Sequence, residues 1–396
     1  MDFSLSSDQQ LTRDTIRQFM ESEIRPNLRA YEKLPQYPVD QLRRLGELGC
    51  CGMMIPEEWG GAGMDMLSYA LMIEEVARVC ASTAVILGVT NGVAGAPLLK
   101  HGTDAQRKKY LPRLARGETI GAFCLTEPQA GSDAAAIQTR AEKRGDCYVI
   151  SGAKAWVSNA GIAGVYLVFA KTDPSAAARG VTAFIVEPTF PGFRIARYEE
   201  KMGLHLSRSA EIAFDNCHVP AENRLGEEGQ GLKIALEALD GGRVGIGAQA
   251  TGLAQAALEA SVKYAKQRKT FGKPIAEYQA IQWMLADMAT EIEAARALTH
   301  YAAHVRDREA RANGAHAPSA AAPGPSRLGP HAARAKLYAS EMCNRVCARA
   351  VQIHGSMGYS RESDVERYYR DARVLTIYEG TSEMQRTVIA RHLLRH

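Results

Sequence analysis

What the sequence lacks narrows it first. No run of Lys and Arg marks a track for a nucleic-acid backbone: 48 basic and 44 acidic residues are interspersed and leave a formal net charge of +4. Nucleic acid is therefore not an expected partner. A charge of that size still suits a small polyanion, which one or two local cations can hold. The eight cysteines form no C-x-x-C pair and no disulfide-dense framework, so they read as reduced core thiols. Cys343 and Cys347, four apart on an expected helix, have the spacing of half a metal site, but core packing is the stronger reading and no metal is assigned. No unbroken apolar stretch approaches membrane-spanning length, and Met1 leads straight into a helical pattern without a basic and apolar leader. The expectation is no membrane association and a cytoplasmic location, or a matrix-type compartment where a presequence has been removed. Also missing are a G-x-G-x-x-G after a strand, a Walker loop, a nucleophile elbow, an H-E-x-x-H helix and a spaced carboxylate–His metal set.

What is present is ordinary in bulk and specific in detail. At 396 residues, 46% hydrophobic and 23% charged, the chain is long enough for two or three packed domains and shows neither disorder nor membrane composition. Residues 1–120 read as helical: Ser6-x-x-Gln9 can form a capping box, and Met72, Val76 and Val79 mark an apolar stripe opposite a polar face of Glu74, Glu75 and Arg78. Residues 121–229 change to short β-branched and aromatic runs, at 120–125, 148–150, 165–169, 182–186 and 211–214, bounded by turn signals. This spacing predicts an antiparallel barrel or sandwich. Residues 230–396 return to long helices, with Tyr278, Ile281, Leu285, Met288, Ile292, Ala295, Leu298, Ala302 and Val305 at steps of three and four, and predict a helical bundle. The Pro-rich stretch 310–330 reads as a surface loop inside it. The expected fold class is thus multidomain α+β, ordered helical, β, helical.

Five motifs carry chemistry. In Cys124-Leu125-Thr126-Glu127-Pro128-Gln129-Ala130-Gly131-Ser132-Asp133, Pro128 fixes a turn, Gly131 permits close approach, and Thr126 and Ser132 offer hydroxyls; a plain hairpin turn is the bland reading. In Lys154-Ala155-Trp156-Val157-Ser158-Asn159-Ala160, a lone Trp is more often core than ligand wall, but a hydroxyl stands beside it. Asp240-Gly241-Gly242-Arg243 offers an i, i+3 ion pair, usually a weak surface feature, around two glycines that mark a close backbone approach. Arg268 to Ile275, followed by Gln279, is a basic cluster that could simply cap a helix C-terminus. The last motif joins Gln352-Ile353-His354-Gly355 to Arg370-Asp371-Ala372-Arg373 and Ile377-Tyr378-Glu379-Gly380-Thr381-Ser382-Glu383. His354 is tempting as an acid–base group, but a partly buried structural histidine is the preferred reading.

In order and spacing these five motifs resemble the acyl-CoA dehydrogenase family, and within it the short-chain, butyryl-CoA-type branch through Ala81-Ser82-Thr83 and Leu239 to Ile246. The resemblance implies FAD held by a non-Rossmann site: Phe123, Leu125, Thr126, Ser132, Trp156 and Ser158 from one subunit, with Ser158 near flavin N5. Arg268, Phe271, Gln279, Gln352, Gly355, Thr381 and Glu383 complete the FAD contacts, some of them reaching a neighbouring subunit's cofactor. An oligomer follows, expected as a tetramer built as a dimer of dimers. It further implies that Ser132, Asp240, Arg243 and Gly380 contact acyl-CoA, and that the helix 81–92 helps close the acyl pocket.

The same resemblance implies a mechanism. Glu379 takes the α-proton as the β-hydrogen leaves as hydride to the flavin, giving a trans-2-enoyl-CoA, and electron-transferring flavoprotein accepts the electrons. A base facing an apolar pocket gains strength from desolvation. Some branches place the base where this chain has Gly242, which leaves Glu379. His205 stands where relatives carry Arg and is expected to have a local structural effect. Competing readings are an acyl-CoA oxidase-like or flavin monooxygenase-like enzyme on the same scaffold, and a non-catalytic assembly protein.

Overall fold

The computed structural model describes residues 4–34, 36–312 and 328–394. The chain opens with helices α1 (Ser7–Phe19), α2 (Leu28–Tyr31), α3 (Val39–Glu47), α4 (Met66–Val79), α5 (Ala81–Gly88), α6 (Ala96–His101) and α7 (Asp104–Ala115). The capping box forms as expected: Ser6 Oγ accepts from the Gln9 N–H at 3.2 Å and Gln9 Oε1 accepts from the Ser6 N–H at 3.0 Å. A sheet follows, made of β1 (Ile120–Cys124), β2 (Arg140–Arg144), β3 (Cys147–Ser158), β4 (Ala163–Lys171), β5 (Val181–Val186), β6 (Phe193–Tyr198), β7 (Ser209–Pro220) and β8 (Arg224–Leu225). Its order is β6-β7-β3-β2-β4-β5-β8, with β1 added against β4. Pairing is antiparallel except for β1 beside β4 and one parallel bridge between β2 and β4. The remainder comprises α8 (Gly231–Gln267), the hairpin β9 (Lys269–Thr270) and β10 (Lys273–Pro274), then α9 (Gln279–Ala312), α10 (Leu328–His354), α11 (Asp364–Ala372) and α12 (Ser382–Leu393).

Helix α8 is the axis of the helical part and packs against α4, α9 and α10. Its glycines let neighbours lie flush: a Cβ at Gly252 would stand 2.0 Å from the Glu74 carbonyl oxygen, so α4 and α8 touch backbone to backbone there. That approach explains one departure from expectation. Met72, Val76 and Val79 are buried as foreseen, but Glu74 and Glu75 are buried too, because α4 is enclosed on both sides. Glu74 accepts from Arg296 Nε at 2.8 Å, and Glu75 pairs with Arg17 and Arg78.

The apolar character of 81–101 also exceeds expectation. This helical stretch is long and apolar enough to cross a membrane by length and composition, yet most of it is buried inside the protein. Its polar interruptions Thr90 and Asn91 are buried and bonded: Asn91 accepts from Met53 N–H at 2.9 Å and donates to Cys50 O at 2.9 Å. The stretch expected as a loop at 310–330 is shorter on both sides. Ala310 to Ala312 continue α9, and Leu328 to Pro330 begin α10, where the N–H that proline lacks would have no helical partner in any case. Residues 313–327 lie outside the described residues.

Candidate active site

The turn entering α12 is strained. Glu379 has φ 49° and Gly380 φ 89°, so a non-glycine residue holds a left-handed conformation in mid-turn, at a cost on the order of 1–3 kcal/mol. Tertiary bonds hold it there. The Gly380 carbonyl accepts from Lys336 Nζ at 2.7 Å and from Gln385 Nε2 at 2.8 Å. Thr381 caps α12 through Oγ1, which accepts from the Met384 N–H at 3.3 Å. Tyr378 donates to Gln249 Oε1 at 2.5 Å, and Gln249 donates in turn to Ala81 O at 3.0 Å. The turn is thereby tied to α5, α8 and α10.

These ties deliver a carboxylate into a place with no partner. Glu379 Oε2 is buried without a hydrogen bond. Burial pushes its pKa up from 4.5 to about 7, against the pull of Lys336 and Arg243. Lys336, itself buried, is pushed down to about 8, with Glu379 opposing. Gly242 makes room for the acid: a Cβ there would stand 2.2 Å from Glu379 Oε2. The neighbouring Asp240–Arg243 pair forms, but it is no surface pair. Arg243 is buried, its Nε has no partner, and burial raises the Asp240 carboxyl above its usual range.

A second cluster lies on the sheet. Strand β3 breaks register with β7 between Lys154 and Val157, and at that bulge Trp156 takes φ 58° and remains 60% exposed. It is therefore no core tryptophan. The Thr126 carbonyl accepts from the Ala155 N–H at 2.9 Å, which lays the 125–132 loop beside Trp156 and half-buried Ser158. Phe123 packs on Phe169, with ring centroids 4.9 Å apart, and Leu125 is buried, while Ser132 is exposed.

Models of three successive regions match the chain: "Acyl-CoA dehydrogenase, N-terminal domain" over residues 6–118, "middle domain" over 122–217 and "C-terminal domain" over 229–394. The rat mitochondrial short-chain specific acyl-CoA dehydrogenase is 44% identical over 391 residues, covering 99% of this chain and 91% of its own. The chain belongs to the acyl-CoA dehydrogenase family. Among solved structures, butyryl-CoA dehydrogenase from Megasphaera elsdenii superposes with a TM-score of 0.93 at 43% identity, covering 100% of both chains. A chain from the structural work on the electron transferring flavoprotein of Acidaminococcus fermentans gives 0.94 at 44% identity, again covering 100% of both. An acyl-CoA dehydrogenase of Bacillus anthracis complexed with FAD gives 0.92 at 34% identity, covering 99% of this chain and 68% of that one. This chain is an acyl-CoA dehydrogenase, a flavin oxidoreductase that uses FAD and acts on an acyl-CoA thioester.

The surface of the enzyme fits such a cofactor. Uncovered aromatic faces stand ready at Trp156 and at Phe271, which is 94% exposed with φ 48°, and backbone is open at Gly131 and Gly355, where an added Cβ would meet nothing within 4 Å. Arg268 ends α8 with its N–H bonded to Tyr264 O at 2.8 Å and its side chain exposed, without an ion-pair partner among the described residues. Gln279, Gln352 and Glu383 are also exposed, and Thr381 is half-buried. His354 ties the ends of α8 and α10 together. It is buried, stacks on Tyr264 at 4.3 Å between centroids and bonds to Ala350 O at 2.8 Å, so its role here is packing. His205 lies against Arg370 Nη1 and the Met202 carbonyl, both at 3.3 Å.

Sequence reasoning missed one pair of this acyl-CoA dehydrogenase that shapes the sheet-side cluster. Lys154 is fully buried and donates to Glu127 Oε1 at 2.6 Å and to Leu125 O at 3.1 Å. Glu127 also accepts from the N–H groups of Gln138 at 2.6 Å and Thr139 at 3.0 Å. Burial alone would raise the Glu127 pKa, but Lys154 and these N–H groups bring it below the usual carboxylate value; burial lowers Lys154, with Glu127 opposing. The pair folds the 125–132 loop onto β3. Lys154→Met strands a buried carboxylate and is expected to cost about 3–5 kcal/mol, most of it recovered by adding Glu127→Gln. Urea denaturation of the holoenzymes, with the retained flavin counted, checks this.

Proposed function

We propose that the enzyme dehydrogenates short-chain acyl-CoA thioesters of the butyryl-CoA kind to trans-2-enoyl-CoA, with Glu379 as the base, and passes its electrons to electron-transferring flavoprotein. The observation that carries this reading is the buried, unpartnered Oε2 of Glu379 on its strained turn, given room by Gly242. Its neutral-range pKa suits a general base at physiological pH. The short chain is favoured by identity with the short-chain specific rat enzyme and likeness to butyryl-CoA dehydrogenase, and the electron acceptor by the flavoprotein work above.

In this proposal Glu379 removes the α-proton, and its backbone N–H donates to the thioester oxygen as enolate charge develops. Gly380 shapes that contact, and Asp240, Arg243 and Ser132 hold the CoA portion. FAD, when bound, supplies the acceptor for the β-hydride. Phe123, Leu125, Thr126, Ser132, Trp156 and Ser158 would hold the flavin on one subunit. Gln352, Gly355, Thr381 and Glu383 would add contacts to FAD, while Arg268, Phe271 and Gln279 would reach the cofactor of the next subunit. This requires an oligomer, proposed as a dimer of dimers. The location proposed is cytoplasmic or a matrix-type compartment.

The test is anaerobic titration with saturated acyl-CoAs of increasing length, followed by reoxidation. Butyryl-CoA is expected to bleach the flavin, with slow recovery in air and fast recovery with electron-transferring flavoprotein. Fast recovery in air would instead mark an oxidase, and no bleaching would mark an assembly protein. A pH series adds a sharper check. Because the base must be ionised, the bleaching kcat/KM is expected to rise through about pH 7 and level off above it, falling about tenfold by pH 6. A flat profile would remove Glu379 from the reaction.

A further inference from the structure

Tyr69, on α4, is a buried polar group to which the reading above gives no part. It is 1% exposed, and its hydroxyl is buried without a hydrogen-bond partner. Buried hydroxyls are nearly always paired, so an orphan calls for an explanation. The phenol stays protonated through burial first and through the charge of Glu379 second, which places the two groups within electrostatic reach.

Its surroundings are walls of glycine. A Cβ at Gly245 would stand 2.5 Å from the phenol oxygen, one at Gly92 3.5 Å and one at Gly88 3.7 Å. Gly92 in turn faces Gly242, whose Cα would lie 3.7 Å from that added Cβ, and Gly242 faces Glu379 Oε2 and Val93 Cγ1. The phenol and the carboxylate therefore border one region between α8 and the helix that runs from α5 to α6. That helix is π-wound from Val89 to Gly95, a geometry that concentrates at functional sites.

We infer that Tyr69 closes the far end of the acyl pocket and sets the longest acyl chain the enzyme accepts. This rests on the assignment of Glu379 as base. With the α-carbon at that carboxylate, the remaining methylenes run onward between the two glycine-lined helices. Glycine at 88, 92, 242 and 245 leaves width for a hydrocarbon chain, while the ring and its oxygen take up depth. The oxygen reaches toward Gly245, where only a hydrogen would leave it space. A pocket end of this kind discriminates each added methylene by about 10–200-fold.

The test uses holoenzyme and S-alkyl-CoA thioethers of four to ten carbons, which bind without reacting, measured by calorimetry, together with kcat/KM for the matching acyl-CoAs. Tyr69→Phe removes the depth of one oxygen, and the six-carbon to four-carbon preference is expected to rise about tenfold. Tyr69→Ala removes the ring, and the eight-carbon to four-carbon preference is expected to rise about 100-fold. Flavin content and Tm are read for each variant, and Tyr69→Phe keeps the question open to refutation should Tyr69→Ala not fold. Unchanged chain-length preferences in a folded, flavin-loaded Tyr69→Phe and Tyr69→Leu would overturn the inference while leaving the base assignment intact. A wild-type enzyme bleached by no acyl-CoA would overturn both, and that outcome is seen before any variant is made.

Discussion

Glu379→Gln is expected to give a folded, flavin-loaded enzyme that butyryl-CoA no longer bleaches, with the reductive rate down by about 10²–10⁴-fold. The reason is geometric as well as chemical. The amide keeps the shape of the acid and cannot take a proton, and the residue against it is Gly242, which offers no substitute group. The same variant carries a prediction of opposite sign for stability. The Glu379 pKa rises from 4.5 to about 7 on folding, so between those values the folded protein binds more protons than the unfolded chain. Stability is therefore lost as pH climbs through this window, and the whole penalty applies above about 7. At about 1.4 kcal/mol per tenfold change in proton affinity, it amounts to at most about 3 kcal/mol. An amide has no such penalty. Glu379→Gln is thus expected to match the wild type near pH 4.5 and exceed it at pH 8, as denaturant midpoints at the two values would show. A variant that loses activity and also loses stability at pH 8 would contradict the assignment of a strained, desolvated base.

Much of this was legible in the sequence because it was local. The capping box at Ser6 and Gln9, the stripe through Met288 and Ile292, and the close approach at Gly242 in the Asp240 to Arg243 segment each follow from spacing and take the expected form, while Gly241 meets only the end of Met66 at 3.9 Å. What the sequence hid depends on partners far along the chain. Glu74 and Glu75 read as a solvated face because Arg296, 222 residues away from Glu74, is invisible in the α4 pattern. Lys154 and Glu127 sit inside two recognised motifs, yet nothing in either motif says that they meet. Nothing local to Lys154 shows it, since the apolar Ala153, Ala155 and Val157 stand at odd offsets, which strand alternation places on the opposite face. Strands β2 and β6 lack a sequence signal for a related reason. Arg-Ala-Glu-Lys-Arg and Phe-Arg-Ile-Ala-Arg-Tyr bury little, so their strand character comes from pairing with β3 and β7 rather than from an apolar pattern. Tyr69 carries no mark in the sequence because its special feature is an absence, a hydroxyl without a partner, which only the packed structure can show.

Gly242→Ala is expected to separate stability from catalysis at a single methyl group. Within the long helix α8, alanine is the better helix former by about 1 kcal/mol, so the fold itself gains or holds. The added Cβ, however, would lie 2.2 Å from Glu379 Oε2, 3.1 Å from its Cδ and 3.2 Å from Val93 Cγ1. Helix α8 is held by close packing against α4, α9 and α10, whereas the carboxylate is the end of a rotatable side chain, so the acid is what moves. A displacement of about 1 Å at a reacting group is enough for a loss of about 10²-fold in rate. Rotation away from Gly242 also changes its distance from Lys336 and Arg243, the two cations that lower its pKa, so the midpoint of the bleaching profile is expected to leave the neighbourhood of 7. Thermal denaturation and anaerobic stopped-flow bleaching across pH, on the same holoenzyme preparation, measure the three effects together. Should Gly242→Ala bleach at the wild-type rate with the wild-type midpoint, the close approach of α8 would not be what positions the acid. The base would then have to be held by the strained turn and its bonds to Lys336 and Gln385 alone.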